Sequence, residues 1–360
     1  MDYERRVARL REALDGNEID ALFVTNLTNV RYLTGFSGTN GQVLVTGDGA
    51  FFLTDRRYEA RAADIVRGAE IVIYPPGGRL GDVLDERLKA GSIRRLGVEA
   101  TTMTIAAMED LDERLDGVGL VSTKNLVEEL RRVKEPAEVE IIRRAAEITA
   151  DTYRWALDRL VVGATERQIA LDLEIHMREQ GADEVSFVPI VGSGPLSAHM
   201  HHTPSDRAFD KGDFVLLDFG CRIDGYCSDF TRTVVLGAAS DDQRAAYELV
   251  LRAHLAGIEA IRPGATGAEV DEAARAVIRD AGRVEQFGHG LGHGVGLDIH
   301  EAPTLRWGSE DTLEPGEVVT VEPGVYVVGS GGVRIEDCVV VTEDGAEVLG
   351  DAPKDTLLEL

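Results

Sequence analysis

Apolar and charged positions alternate three and four apart from Tyr3 to Leu14, which predicts an amphipathic helix at the start of the chain. A short apolar run from Asp20 to Val24 then reads as a strand. Gln42 to Thr46 and Ala50 to Leu53 read as a hairpin turning at Gly47-Asp48-Gly49. Helical periodicity returns near Arg57 to Val66, Leu80 to Lys89 and Ile105 to Leu115. Strand patterns recur at Glu70 to Tyr74, Arg95 to Val98 and around Leu120, with a turn expected over Pro75 to Gly78. The polar stretch Asn26 to Gly41, NLTNVRYLTGFSGTNG, carries Tyr32 and Phe36 among Gly, Asn and Thr. It reads either as a turn-rich connection or as a wall for a site elsewhere.

Beyond residue 125 the pattern changes. LVEELRRVKEP, residues 126–136, reads as a linking helix, and Pro136 suits the first turn of a long helix reaching about Leu160. KGDFVLLDFG, residues 211–220, and PGEVVTVEPG, residues 315–324, then superimpose at one offset. Gly212 falls on Gly316, Asp213 on Glu317, Asp218 on Glu322 and Gly220 on Gly324. Each is an apolar strand that ends in a carboxylate. A second pair lies upstream, GATERQI at 163–169 and GATGAEV at 264–270, where Thr165 with Gln168 and Thr266 with Glu269 form capping boxes opening helices. Each carboxylate strand is followed by another bearing a second carboxylate, Asp229 in GYCSDFTRTVV and Glu336 in GVRIEDCVVV. Residues from about 140 to 345 therefore read as two copies of one unit related by a pseudo-twofold.

Composition narrows the class. At 360 residues the chain can hold two domains, and a net charge of −26 argues against nucleic acid and anionic membranes as partners. No apolar run reaches the ~18 residues of a membrane span, and the charged N-terminus is not a signal peptide, so a cytoplasmic protein is expected. Cys221, Cys227 and Cys338 are odd in number and form no CxxC pair, which predicts buried free thiols.

Chemistry concentrates in a few positions. An apolar strand ends in an ionised carboxylate only with a partner, because desolvating that charge costs several kcal/mol. Matching strand ends in two halves point to a shared cation site. Six of the eight histidines fall in two segments, His199, His201 and His202, and His289, His293 and His300. The second segment, GHGLGHGVGLDIHE, holds so many glycines that neither a stable helix nor an ordinary strand is expected there. A single histidine in such a place is more often structural. Three within a glycine ladder, beside two paired carboxylate strands, point to a site. Four carboxylates and an imidazole suit two divalent ions, Mn²⁺, Co²⁺ or Fe²⁺ at least as well as Zn²⁺. Two such ions could share a water and lower its pKa toward ~7.

These residues resemble the metal-dependent pita-bread peptidases of family M24, which include Xaa-Pro aminopeptidase, prolidase and methionine aminopeptidase. LLDFG, GYCSDFTRT, HGLGHGVGLDIHE, VEPG and RIED correspond in order and spacing, and NVRYLTGFSGTNG resembles the N-terminal domain of the creatinase and Xaa-Pro branch. The match covers nearly the whole chain. It implies a creatinase-type α/β N-terminal domain over residues 1–125, a linker helix at 126–136 and an α+β pita-bread catalytic domain over 137–360, with an internal duplication. It further implies Asp218, Asp229, His293, Glu322 and Glu336 as ligands of two divalent ions, manganese first among them, with Asp229 and Glu336 bridging. His201 and His300 are implied to stabilise the tetrahedral intermediate from opposite walls, and Glu322 to accept the proton of the attacking water. His289 is implied to line the proline pocket, with Arg334 and Tyr226 ordering the carboxylates. The segment Ala198-His199-Met200-His201 departs from the Asn-Pro that many relatives carry before this histidine. The implied activity is Xaa-Pro aminopeptidase, with a dipeptide-restricted prolidase as the alternative, acting as a homodimer on proline-containing peptides. A creatinase-like or lyase enzyme, or a non-catalytic peptide-binding member of the fold, should lack some of the five ligands, and all five are present.

Overall fold

The computed structural model describes residues 1–75 and 80–360, so that the expected Pro75–Gly78 turn lies, beyond Pro75, outside the described residues. The chain divides into two units, Met1–Arg131 and Arg132–Leu360.

The first unit is a six-stranded sheet with helices. Across it the strands run Glu70–Tyr74, Ala50–Asp55, Gln42–Thr46, Ala21–Val24, Arg95–Glu99 and Gly119–Thr123. The hairpin pairs antiparallel, and the outer strands add in parallel through helical crossovers. Helix Tyr3–Gly16 buries Val7, Leu10 and Leu14 at the expected spacing, and the Asp2 side chain caps it. One expectation fails here. The stretch read as a loop after Asn26 contains the helix Leu27–Thr34, capped by the Asn26 side chain on Thr28 N–H and ended by Gly35 at φ 79°. Burial of Val30 and Leu33 holds it despite its threonines and asparagine.

The second unit shows the duplication directly. Its first half has the helices Pro136–Ala156 and Glu166–Glu179 and an antiparallel sheet in the order Thr231–Val235, Phe214–Asp218, Ile190–Ser193. Its second half has the helices Asp241–Ala260 and Gly267–Asp280 and a five-stranded sheet. There Val318–Val321 lies between Gly292–Gly294 and Asp337–Val341. Each half carries its own apolar cluster. Ile169, Leu173, Val215 and Leu217 pack in the first; Val250, Val270, Val319 and Val339 pack in the second. At ~1.5–3 kcal/mol for each fully buried side chain, these clusters set the position of the strands. The acidic residues that open the two matched strands are paired, Asp213 with Arg207 and Glu317 with Arg132. The capping box of Thr266 and Glu269 forms completely. At Thr165 only the hydroxyl contact to Gln168 N–H is made, and the Gln168 side chain turns to Asp172.

Within the glycine ladder only Gly292–Gly294 is a strand among the described residues, and it is an irregular one. It pairs with Glu301–Leu305 through a register shift at His293/Gly294 and with Val318–Val321. A Cβ on Gly292 would sit 2.0 Å from Thr320 O, and one on Gly294 2.2 Å from Ala302 O. Glycine is needed here for close backbone approach. Among the described residues, no helix is long and apolar enough to cross a membrane.

Candidate metal centre

The two sheets meet at their carboxylate ends. Thr231 and Glu336 form an antiparallel bridge, with Glu336 N–H donating to Thr231 O at 3.1 Å and the Thr231 hydroxyl to the Glu336 carboxylate. Asp218 is the last residue of its strand, and Asp229 precedes Thr231 in the turn. Glu322 follows Val321, and Glu336 precedes Asp337. His293 is the central residue of the glycine strand. These strand ends bring all five groups to the wall of one cavity of about 460 Å³. Ligand atoms of Asp229, His293 and Glu336 lie within 4.8 Å of one another. His293 Nε2 is 3.7 Å from Asp229 Oδ2 and 3.5 Å from Glu322 Oε1.

His201, His289, His300 and Arg334 line the same cavity. The ring of His300 stands edge-on to His293, centroids 4.4 Å apart. Arg334 is buried, with its guanidinium shared among the Asp218 carboxylate, the Thr231 hydroxyl at 3.1 Å and the Tyr326 hydroxyl at 2.8 Å. Tyr326 in turn lies 3.0 Å from His289 Nε2. Because Arg334 can only donate, Tyr326 accepts from it and donates to the imidazole. Tyr226, expected beside the carboxylates, is elsewhere. Its hydroxyl is buried against Glu138 at 2.7 Å, on the helix Pro136–Ala156, and it is not among the cavity's lining residues. Its strand partner is Ile223.

Several lining residues carry no motif. Tyr326 belongs to the strand Gly324–Val327, which reads as an ordinary strand. Phe187, Val188, Ile190 and Ile299 supply an apolar wall that sequence reads only as hydrophobic. Arg306, also on the wall, is exposed and has no carboxylate partner among the described residues.

Electrostatics test whether these residues suit cations. Burial pushes the Glu322 carboxyl up to about 8, against the pull of Arg334. Asp229 and Glu336 are raised well above ordinary carboxylates, by burial first and then by neighbouring acidic groups. Asp218 is raised by burial in spite of Arg334. One arginine is too little positive charge for four buried carboxylates. One oxygen, Asp218 Oδ1, is buried with no hydrogen-bond partner. Burial also lowers the imidazoles, His293 to about 4 and His289, helped by Arg334, to about 3. His293 Nδ1 is 3.0 Å from Gly294 O, which places its proton there and leaves Nε2 with a free lone pair toward the carboxylates. A neutral imidazole, an orphaned oxygen and mutually repelling carboxylates fit divalent cations.

Comparison with known proteins agrees with this geometry. Residues 140–343 match the family model described as Metallopeptidase family M24, and residues 6–133 the Creatinase/Prolidase N-terminal domain. The Xaa-Pro dipeptidase of Pyrococcus furiosus is 34% identical, over 98% of this chain and 100% of that one. Among solved structures, an Xaa-Pro dipeptidase from Bacillus anthracis superimposes with a TM-score of 0.96 at 41% identity, covering 99% of each chain. An X-Pro aminopeptidase from Thermotoga maritima gives 0.89 at 32% identity, covering 96% of this chain and 99% of that one.

Proposed function

The chain belongs to metallopeptidase family M24 and is a metal-dependent hydrolase, and from that premise we propose that it is an Xaa-Pro dipeptidase. Asp218, Asp229, His293, Glu322 and Glu336 would hold two divalent ions, manganese before cobalt, zinc or iron. When bound, such ions supply Lewis acidity and a water made acidic enough to ionise near neutral pH.

The chain's own residues do the rest. An Xaa-Pro bond has no N–H, so the substrate must be gripped by its carbonyl, its ring and its ends. His201 and His300, on the cavity wall, donate to the oxygen that becomes negative as the carbonyl carbon turns tetrahedral. Glu322, on the same wall, takes the proton that the attacking water gives up. Arg334 holds Asp218 in place, and through Tyr326 it fixes the ring of His289 against the proline pocket.

The observation that carries the dipeptide reading over the aminopeptidase one is Arg306. It is a cavity-wall cation with no ion-pair partner among the described residues, suited to the free carboxylate that a dipeptide presents next to its scissile bond. A longer substrate has an amide at that point. The test is hydrolysis of Xaa-Pro dipeptides, their C-terminal amides and Xaa-Pro tripeptides, with Mn²⁺, Co²⁺ and Zn²⁺ in parallel. Dipeptides should be preferred by at least about tenfold in kcat/KM, the ~1.4 kcal/mol expected of a charge-assisted contact. Equal or faster cleavage of tripeptides would make the protein an aminopeptidase instead.

A further inference from the structure

Two of the cavity histidines, His201 and His300, differ from the other two in what holds them. His289 and His293 each engage a neighbouring carbonyl through Nδ1, whereas the His201 ring makes no hydrogen bond among the described residues. Its aim is therefore set by the backbone of the segment that carries it, and that segment is strapped to one buried side chain.

Glu166, the first residue of the helix Glu166–Glu179, is fully buried and makes no ion pair with an arginine or lysine among the described residues. Its Oε1 accepts from Ser193 N–H at 2.9 Å and the Ser193 hydroxyl at 2.7 Å. Its Oε2 accepts from His202 Nε2 at 2.8 Å, Ser205 N–H at 3.0 Å and the Ser205 hydroxyl at 2.6 Å. One carboxylate thus ties the end of the strand Ile190–Ser193 to the chain that leaves the turn presenting Met200 and His201 to the cavity. Backbone bonds from Glu166 N to Arg207 O and from Arg167 N to Ser205 O lay the same segment along the helix start.

The second half of the duplicated unit does this differently. The position matching Glu166 is Gly267, where a Cβ would lie 2.0 Å from Thr304 O. The pinning falls instead to Asp271, which accepts from Leu291 N–H, and to Arg275, which donates to Phe287 O and to His289 O. Both halves thus use their second helix to set a histidine segment, with different side chains at different positions along it.

We propose that Glu166 and His202 are positioning residues for His201, their hydrogen bond fixing the segment that presents its ring to the cavity. The inference rests on the proposed role of His201 in turnover. A double-mutant cycle on a Xaa-Pro dipeptide tests it. Glu166→Gln and His202→Ala are each placed in the wild-type chain and in a His201→Ala background. Metal content, KM and Tm are followed alongside kcat. His202→Ala removes one of the five contacts to Glu166, and the His202 side chain is itself 11% exposed, so it keeps the test open if Glu166→Gln fails to fold. Each variant should lower kcat about tenfold or more in the wild-type chain and less than about twofold when His201 is already gone, with metal content and KM unchanged. An equal fold-loss in both backgrounds, or no loss in either, overturns the positioning role while leaving the dipeptidase reading in place. Wild-type turnover in His201→Ala alone overturns the role of His201 and the inference with it.

Discussion

Asp218 Oδ1 is the atom that most clearly lacks something: it is buried and makes no hydrogen bond, although Arg334 serves the carboxylate's other oxygen. A buried polar atom without a partner costs about 1–3 kcal/mol, so it marks a place where a ligand belongs. The same reasoning makes Asp229 indispensable, because it stands within reach of both His293 and Glu336. Asp229→Ala should abolish hydrolysis and reduce metal content below the wild-type value when both proteins are purified alike and assayed by atomic emission. Losing His201 should act on chemistry alone. Turnover of His201→Ala is expected to fall by roughly two orders of magnitude, as for an oxyanion-stabilising group, with metal retained. Arg306→Ala should raise KM for dipeptides about tenfold or more and leave that for the C-terminal amides unchanged, since only the former offer a carboxylate. Glu166 carries a pH signature. Burial works against its charge, but the hydrogen bonds from Ser205, His202 and Ser193 outweigh it and hold the carboxyl below its ordinary value. A depressed carboxyl contributes stability above its unfolded pKa and loses it as pH falls through the lower folded one. Glu166→Gln should therefore cost about 1–3 kcal/mol in urea melts near neutral pH and progressively less below about pH 4.

At the scale of elements, the strand Gly292–Gly294 shows what glycine does for this site. It has to pass between two neighbours closely enough that a methyl group on Gly292 would overlap the Thr320 carbonyl. Gly292→Ala is expected to push that sheet apart, lowering Tm and activity together, with a cost of about 1–3 kcal/mol or more for overpacking. A variant with unchanged Tm would show that the sheet can shift to accept it. The helix Leu27–Thr34 makes the complementary point. Its cap, Asn26, and its terminator, Gly35, stand in plain view in the sequence, yet three threonines and asparagines among eight residues outweighed them. What stabilises the helix is burial of Val30 and Leu33, a tertiary fact that propensity does not contain.

At the scale of the molecule, the site exists only because two similar halves present their strand ends to each other. Thr231 and Glu336 are more than a hundred residues apart and meet in a single bridge. Four carboxylates gathered there repel one another, so binding cations should stabilise the fold as well as enable reaction. Chelation is expected to abolish activity and lower Tm, and Mn²⁺ should restore both; ligand at about a hundred times its Kd adds about 2.7 kcal/mol. An unchanged Tm on chelation would mean that cations are not held by these groups.

The duplicated apolar strands, each closing on a carboxylate, were legible because strand period, turn glycine and acidic terminus are local features, and a repeated local pattern implies a repeated unit. That four carboxylates and histidines gather at one cavity was legible for the same reason, whereas the choice of five among them as ligands rested on the resemblance to family M24. Folding in three dimensions alone decided the rest. Tyr226 turns to Glu138, while Tyr326, which no motif marks, bridges Arg334 and His289. Glu166, which reads as an unremarkable first residue of a helix, becomes the buried anchor of the His201 segment. A side chain's partners across a hundred residues depend on which faces of the sheets come together, and hydrophobic periodicity specifies the faces without specifying whom they meet.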